Sequence, residues 1–138
     1  MTADPATGTP APTTSATDAS ADPLLHPFEL GRLMLRNRIV STSHEPAYTE
    51  LGMPKDRYRL YHREKARGGV GLTMIGGSAI VSKDSPAAFG NIDLSTDEVV
   101  PWLSAIADDC HDEGAAIMIQ GPRDVDGSAA CEHAAEVA

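Results

Sequence analysis

The sequence is poor in aromatics, in cysteine and in positive charge. Only 4% of its 138 residues are Phe, Trp or Tyr, so a core has to be built from Leu, Ile, Val, Met and Ala. The two cysteines, Cys110 and Cys131, are too few for a disulfide framework and lack zinc-finger spacing. They read as free thiols of a reducing compartment. Lys and Arg number 11 against 20 Asp and Glu, a formal net charge of -9. Nucleic acid needs the reverse balance, because phosphate contacts come from Lys and Arg, and a nucleic-acid role is disfavoured. No apolar run approaches the roughly 18 residues of a membrane span. The first residues carry neither the basic stretch nor the apolar run of a secretory signal. The expectation is a cytoplasmic protein that meets no membrane.

Three unequal pieces follow from composition. Residues 1–22 are almost entirely Ala, Thr, Pro, Ser, Asp and Gly. Such a segment cannot bury enough apolar surface to offset its ordering entropy and is expected to be a disordered leader. Residues 23–120 carry the apolar patterning of a folded unit. In residues 121–138 the periodicity stops, and a tail of low structural content is expected.

Within the middle piece, residues 24–30 form an apolar opening segment, and Gly31 permits a turn. Residues 38–43 read as a short buried strand. Residues 55–67 lack a breaker and form a helix, with Tyr58, Leu60 and Tyr61 on one face and Gly68 and Gly69 as its cap. Residues 70–75 are an unalternating apolar run, the pattern of a strand buried on both faces. Ser95 and Glu98 fit a capping box ahead of Val99, Val100, Leu103, Ile106 and Ala107 at helical spacing, and Gly114 closes that helix. Residues 115–120 make a third strand. Ile39, Val40, Leu72, Met74, Ile75, Ile117 and Ile119 are expected to lie buried in one parallel sheet. Strands alternating with helices imply parallel pairing and an α/β chain. The pattern alone leaves open an open doubly wound sheet or part of a (β/α)8 barrel.

Several polar features have plain readings. The acidic run from Asp108 to Glu113 sits at a helix end, where consecutive side chains diverge. It is expected to be a solvated, frayed end rather than a metal site. Arg57, Arg59, Arg63, Lys65 and Arg67 form a charged outer helix face, partly paired to Glu64. His62, His111 and His133 are expected on the solvated surface.

Residues 27–40 fit the pattern P-F-x-L-G-x-L-x-L-x-N-R-I-V. This segment closely resembles the opening of the old yellow enzyme family, the NADH:flavin oxidoreductases that include trimethylamine dehydrogenase and related amine demethylases. Residues 61–72 resemble the family's first helix running into its second strand. Residues 115–120 resemble the third strand with its terminal glutamine. The loop from Ser43 to Tyr48 looks most like the amine-demethylase branch. Trimethylamine dehydrogenase-like members carry a flavin-linked cysteine after the matching histidine; here Glu45 stands there, and no cysteinyl-flavin bond is expected.

The resemblance implies an incomplete TIM (β/α)8 barrel of about three βα units, with FMN at the C-terminal ends of the strands. It places cofactor contacts at Ser41, Thr42, Ser43 and His44 from the first strand, Gly76 and Gly77 from the second, and Gln120 from the third. An amide suits the pyrimidine edge of the flavin because it offers a donor and an acceptor. No catalytic residue and no metal ligand is assigned. The later strands, the substrate-binding His-His or His-Asn pair, the proton-donating tyrosine and the phosphate site have no match. In place of a His-x-Gly-Arg loop, Gly121, Pro122, Arg123 and Asp124 follow Gln120. The resemblance is expected to end there, as in a truncated or frame-shifted reading frame encoding an FMN-dependent oxidoreductase fragment inactive on its own. The implied partners are FMN, NAD(P)H or a small N-methylated amine, and a second chain completing the barrel. The alternatives are half of a split flavoenzyme, or a non-enzymatic α/β interaction module.

Overall fold

The computed structural model describes residues 21–76, 80, 82, 84–85 and 90–120. The tail, Gly77 and all of the leader except Ala21 and Asp22 lie outside them. Asp22 accepts from the Leu24 amide at 2.9 Å and caps a short 3-10 turn, Pro23–Leu25. Next comes an antiparallel hairpin, β1 (Phe28–Leu30) and β2 (Leu33–Leu35), turning at Gly31 and Arg32. Three strands then alternate with two helices: β3 (Val40–His44), α1 (Lys55–Arg67), β4 (Leu72–Ile75), α2 (Val100–Asp112) and β5 (Ala116–Ile119). The sheet order is β3-β4-β5, with both pairings parallel.

Helix α1 forms where residues 55–67 offer no Gly or Pro, and its buried positions recur every four residues: Tyr58, His62 and Ala66. Leu60 is exposed, so the apolar face lies elsewhere on this helix than the sequence suggests. In α2 the buried set is Leu103, Ile106, Ala107 and Cys110, the spacing of an amphipathic helix. These side chains meet Ile75 of β4, Ile92, Val99 and Ala115, with Ile117 and Ile119 of β5 packed against them. Both helices therefore share one core on one face of the sheet.

The other face is open. Val40 and Met118 are 42% and 43% exposed. The expectation of full burial fails for Val40, which opens β3 on the uncovered face, and for Ile39 just before it. Met74, Ile117 and Ile119 are half-buried.

Three further expectations are corrected. No side-chain hydrogen bond caps the 3-10 turn at Thr96 or α2 at Val99. Instead Ser95 donates to Asp93, at 2.9 Å from its amide and 2.6 Å from its hydroxyl, and a 3-10 turn, Asp97–Val99, leads into α2. The acidic end of α2 is not frayed. Arg59 reaches Asp109 at 3.0 Å and Arg63 reaches Glu113 at 3.3 Å, so cations of α1 offset the carboxylates that the helix dipole disfavours. Cys110 in the same run is buried, and burial beside Asp109 pushes its thiol up to about 11. Finally, His62 is 0% exposed rather than solvated.

Residues of the opening motif hold this scaffold from the end opposite the strand tips. Arg36 donates to the carbonyls of Ala66, of Val70 at 2.8 Å and of Glu113 at 2.6 Å. One guanidinium thus satisfies carbonyls at the ends of both helices. Asn37 donates to Gly69 O at 2.7 Å and accepts from the Ile39 amide at 3.1 Å, fixing the α1–β4 turn beside β3.

Candidate functional site

The C-terminal ends of the three parallel strands lie in a row. His44 pairs with Ile75, and Ile75 with Ile119. The Gln120 amide extends the ladder, donating to Ile75 O at 2.9 Å. Thr42, Ser43, His44, Gly76 and Gln120 are therefore brought together. The register shifts between Ser41 and His44, an irregularity common at barrel rims and beside active sites. Ser41 pairs with Thr73, below the rim, and stands apart from this group. Gly77 lies outside the described residues.

Gly76 packs tightly against the end of β3. A Cβ there would lie 2.6 Å from Ser43 C and 2.8 Å from Ser43 Cβ, and closer still to the His44 amide nitrogen. Only glycine lets the end of β4 sit this near the end of β3. Thr42, His44 and Gln120 are exposed and Ser43 is half-buried. Among the described residues no side-chain hydrogen bond engages Thr42, Ser43 or Gln120. The rim thus offers two hydroxyls and a free side-chain amide, with Gly76 buried between them.

The loops beyond the strand tips are tied together. Thr49 Oγ1 donates to Gly90 O, and the Asp93 amide donates to Gly52 O at 2.8 Å. The β3–α1 loop also holds two non-glycine residues at positive φ, Ala47 and Leu51, and Lys55 at the start of α1 is a third. Such strain persists only where the surroundings over-determine it, and it concentrates at functional sites.

Behind the rim, on the helix side, lies a buried polar group. Tyr58 donates to Gly76 O at 3.3 Å and stacks on His62 at 5.3 Å between ring centroids. His62 Nδ1 lies 3.0 Å from Thr73 Oγ1, while its Nε2 is buried without a partner. Burial, with Lys65 nearby, lowers the His62 pKa to about 3, so the ring is neutral. Burial and the nearby Glu45 hold the Tyr58 phenol well above its ordinary range. Glu45 accepts from the Ala47 amide at 2.7 Å, and burial raises its pKa. Sequence reading missed Tyr58 and His62 as neighbours of the site. The signal was there: Tyr58, His62 and Ala66 share a helix face at i, i+4 and i+8, which buries the histidine with its neighbours.

Among the described residues no group of three or more His, Cys, Asp or Glu side chains is placed to hold a metal ion. No helix among them is long and apolar enough to cross a membrane.

Comparison with known proteins gives a coherent result. The family model described as NADH:flavin oxidoreductase / NADH oxidase matches residues 23–132. The match runs past Gln120 into the segment expected to be a tail of low structural content, so the likeness does not end at that glutamine. Over 99 residues the chain is 61% identical to a probable N-methylproline demethylase of Rhizobium meliloti (strain 1021), covering 72% of this chain and 15% of that one. Over 104 residues it is 53% identical to a multifunctional alkene reductase/demethylase of Caballeronia cordobensis, covering 75% and 15%. The solved old yellow enzyme from Trypanosoma cruzi superposes with a TM-score of 0.62 at 24% identity, covering 72% of this chain and 26% of that one. The strands and helices described above are thus part of a TIM barrel, and the chain spans about 15% of the length of the two curated relatives it matches.

Proposed function

The chain belongs to the NADH:flavin oxidoreductase / NADH oxidase family, and from that membership we propose that its three strand ends form the ring-side part of an FMN site. The observation that carries the reading is the row at the rim. Gly76, itself buried, packs the end of β4 between Thr42 and Ser43 on one side and Gln120 on the other. That arrangement fits a flat, polar-edged heterocycle. The Thr42 and Ser43 hydroxyls and the Gln120 amide can hydrogen-bond its edge. His44 would stand beside it, and Ser41 would support the strand from below. FMN, when bound, supplies the hydride-transfer chemistry; these residues orient the ring and shield one side of it.

The names of the two curated relatives favour a small N-methylated amine as substrate, with NAD(P)H as a further reactant in the family. Phosphate binding in such barrels draws on loops after the seventh and eighth strands. The described residues supply three strands of the barrel, so ring contacts without that cradle make for weak binding. The open sheet face at Val40 and Met118, together with the exposed Phe28, Leu30 and Leu33 of the hairpin, supports completion of the barrel by further strands, in the same polypeptide or in a partner chain.

A chimera tests this reading. Residues 24–120 replace the matching segment of the Rhizobium meliloti relative. The expected product is yellow, with one FMN per chain, and Thr42→Val combined with Gln120→Leu weakens FMN binding about tenfold or more. The 138-residue chain alone is expected to purify colourless and to leave added FMN as fluorescent as in buffer. A folded but colourless chimera contradicts the reading.

A further inference from the structure

The end of β4 poses a mechanical problem. Gly76 has no side chain to anchor it, yet it packs so tightly against the end of β3 that a Cβ there would collide with Ser43 and His44. Two side chains of α1 take up the task. His62 lies 3.0 Å from Thr73 Oγ1, and the stacked Tyr58 donates to Gly76 O at 3.3 Å. Thr73 and Gly76 are three residues apart on the same strand, a span of roughly 10 Å. One helix thus grips one strand at two points through a single pair of stacked rings, and a slide of α1 along β4 would break both contacts together.

We propose that Tyr58 is a positioning residue for the ring-facing end of β4, held by the His62 stack so that its hydroxyl fixes the Gly76 carbonyl and, through it, the strand end beside which a flavin ring lies. The inference rests on the FMN reading given above. Tyr58 is buried, and a buried hydroxyl is retained where it has a partner. Gly76 O is that partner. Phenylalanine would fill the same space and keep the stack, so packing alone gives no reason for the hydroxyl. Burial keeps His62 neutral and Tyr58 protonated, so the grip is indifferent to pH across the neutral range. Glu45 follows β3 directly and lies within electrostatic reach of Tyr58, so it adds negative charge on the side that discourages phenol ionisation.

Tyr58→Phe in the full 138-residue chain, followed by NMR, tests the assignment. The expected result has three parts. The Gly76 carbonyl-carbon resonance moves upfield. Exchange of the Gln120 amide, which reports the joint between β4 and β5, rises about tenfold while the Leu72 and Thr73 amides keep their rates. The amide shifts that riboflavin induces at Gly76 and Gln120 are lost. Thr73→Val is the control: it is expected to lower the urea midpoint while the Gly76 carbonyl resonance stays in place. An unmoved Gly76 carbonyl in Tyr58→Phe, or exchange that rises uniformly through β3, β4 and β5 in both variants, overturns the proposal. If riboflavin shifts no amide of the unsubstituted chain, the flavin reading fails, whereas the carbonyl shift and exchange rates still decide whether Tyr58 positions the strand end.

Discussion

Gly76→Ala will lower the folding stability of the chain by about 3 kcal/mol, the upper part of the range for forced overpacking. The added methyl would meet the Ser43 carbonyl carbon at 2.6 Å and the Ser43 Cβ at 2.8 Å. The two main chains are locked in the same sheet by the His44–Ile75 pairing, so neither can give way by a side-chain rotation. Either β3 separates from β4 at the rim, or the Tyr58–Gly76 hydrogen bond is lost as β4 retreats. A urea titration gives the stability change. A variant as stable as the parent would show that the strand ends relax freely and that the close approach is incidental.

Acidification will destabilise the chain through His62. The sign follows from the lowered pKa. The unfolded histidine titrates near 6.5 and the folded one near 3. Between those values the unfolded state binds a proton that the folded state refuses. Stability therefore rises with pH through this window and levels off above about pH 7. The slope is at most about 1.4 kcal/mol per pH unit, and a total loss on the order of 4 kcal/mol accumulates by pH 3. Glu45, whose pKa is raised by burial, acts in the opposite sense, because protonation at low pH relieves its buried charge. Urea midpoints between pH 7 and pH 4.5 read the effect. His62→Phe, which keeps a ring against Tyr58, is expected to flatten the profile there. An unchanged slope in that variant would place the acid sensitivity elsewhere.

Much of the scaffold was legible because it is written in local pattern. Residues 55–67 form the α1 expected of them, and the three strands fall within two residues of the expected runs at each boundary. The hairpin was not legible. Its two strands are three residues each, too short for an alternating pattern to emerge, and only Gly31 marks the turn. The capping box failed because Asp93, two residues upstream, takes the Ser95 hydroxyl and amide for itself. His62 was misplaced because a histidine flanked by Tyr61 and Arg63 looks polar until the four-residue spacing of Tyr58, His62 and Ala66 is weighed.

The motif that revealed the family turns out to carry architecture rather than chemistry. Arg36 binds carbonyls at the ends of both helices, Asn37 fixes a turn, and Arg38 lies over the Phe28 ring at 5.7 Å. The candidate site residues, by contrast, have no local signature. Thr42, Gly76 and Gln120 are ordinary strand-end residues, brought together only by parallel pairing across 78 positions of sequence (42 to 120). That is why the resemblance was needed to single them out, and why the polar pair behind them was overlooked.

The most direct measurement is an amide NMR map of the full chain titrated with riboflavin, which carries the isoalloxazine ring without the phosphate. If the strand ends form the ring-side part of the site, fast-exchange shifts will concentrate at Thr42, Ser43, His44, Gly76 and Gln120, and FMN will produce the same map no more tightly, since the phosphate has no partner among these residues. Shifts confined to the hairpin or to the outer faces of α1 and α2, or none at riboflavin saturation of the solution, would contradict it.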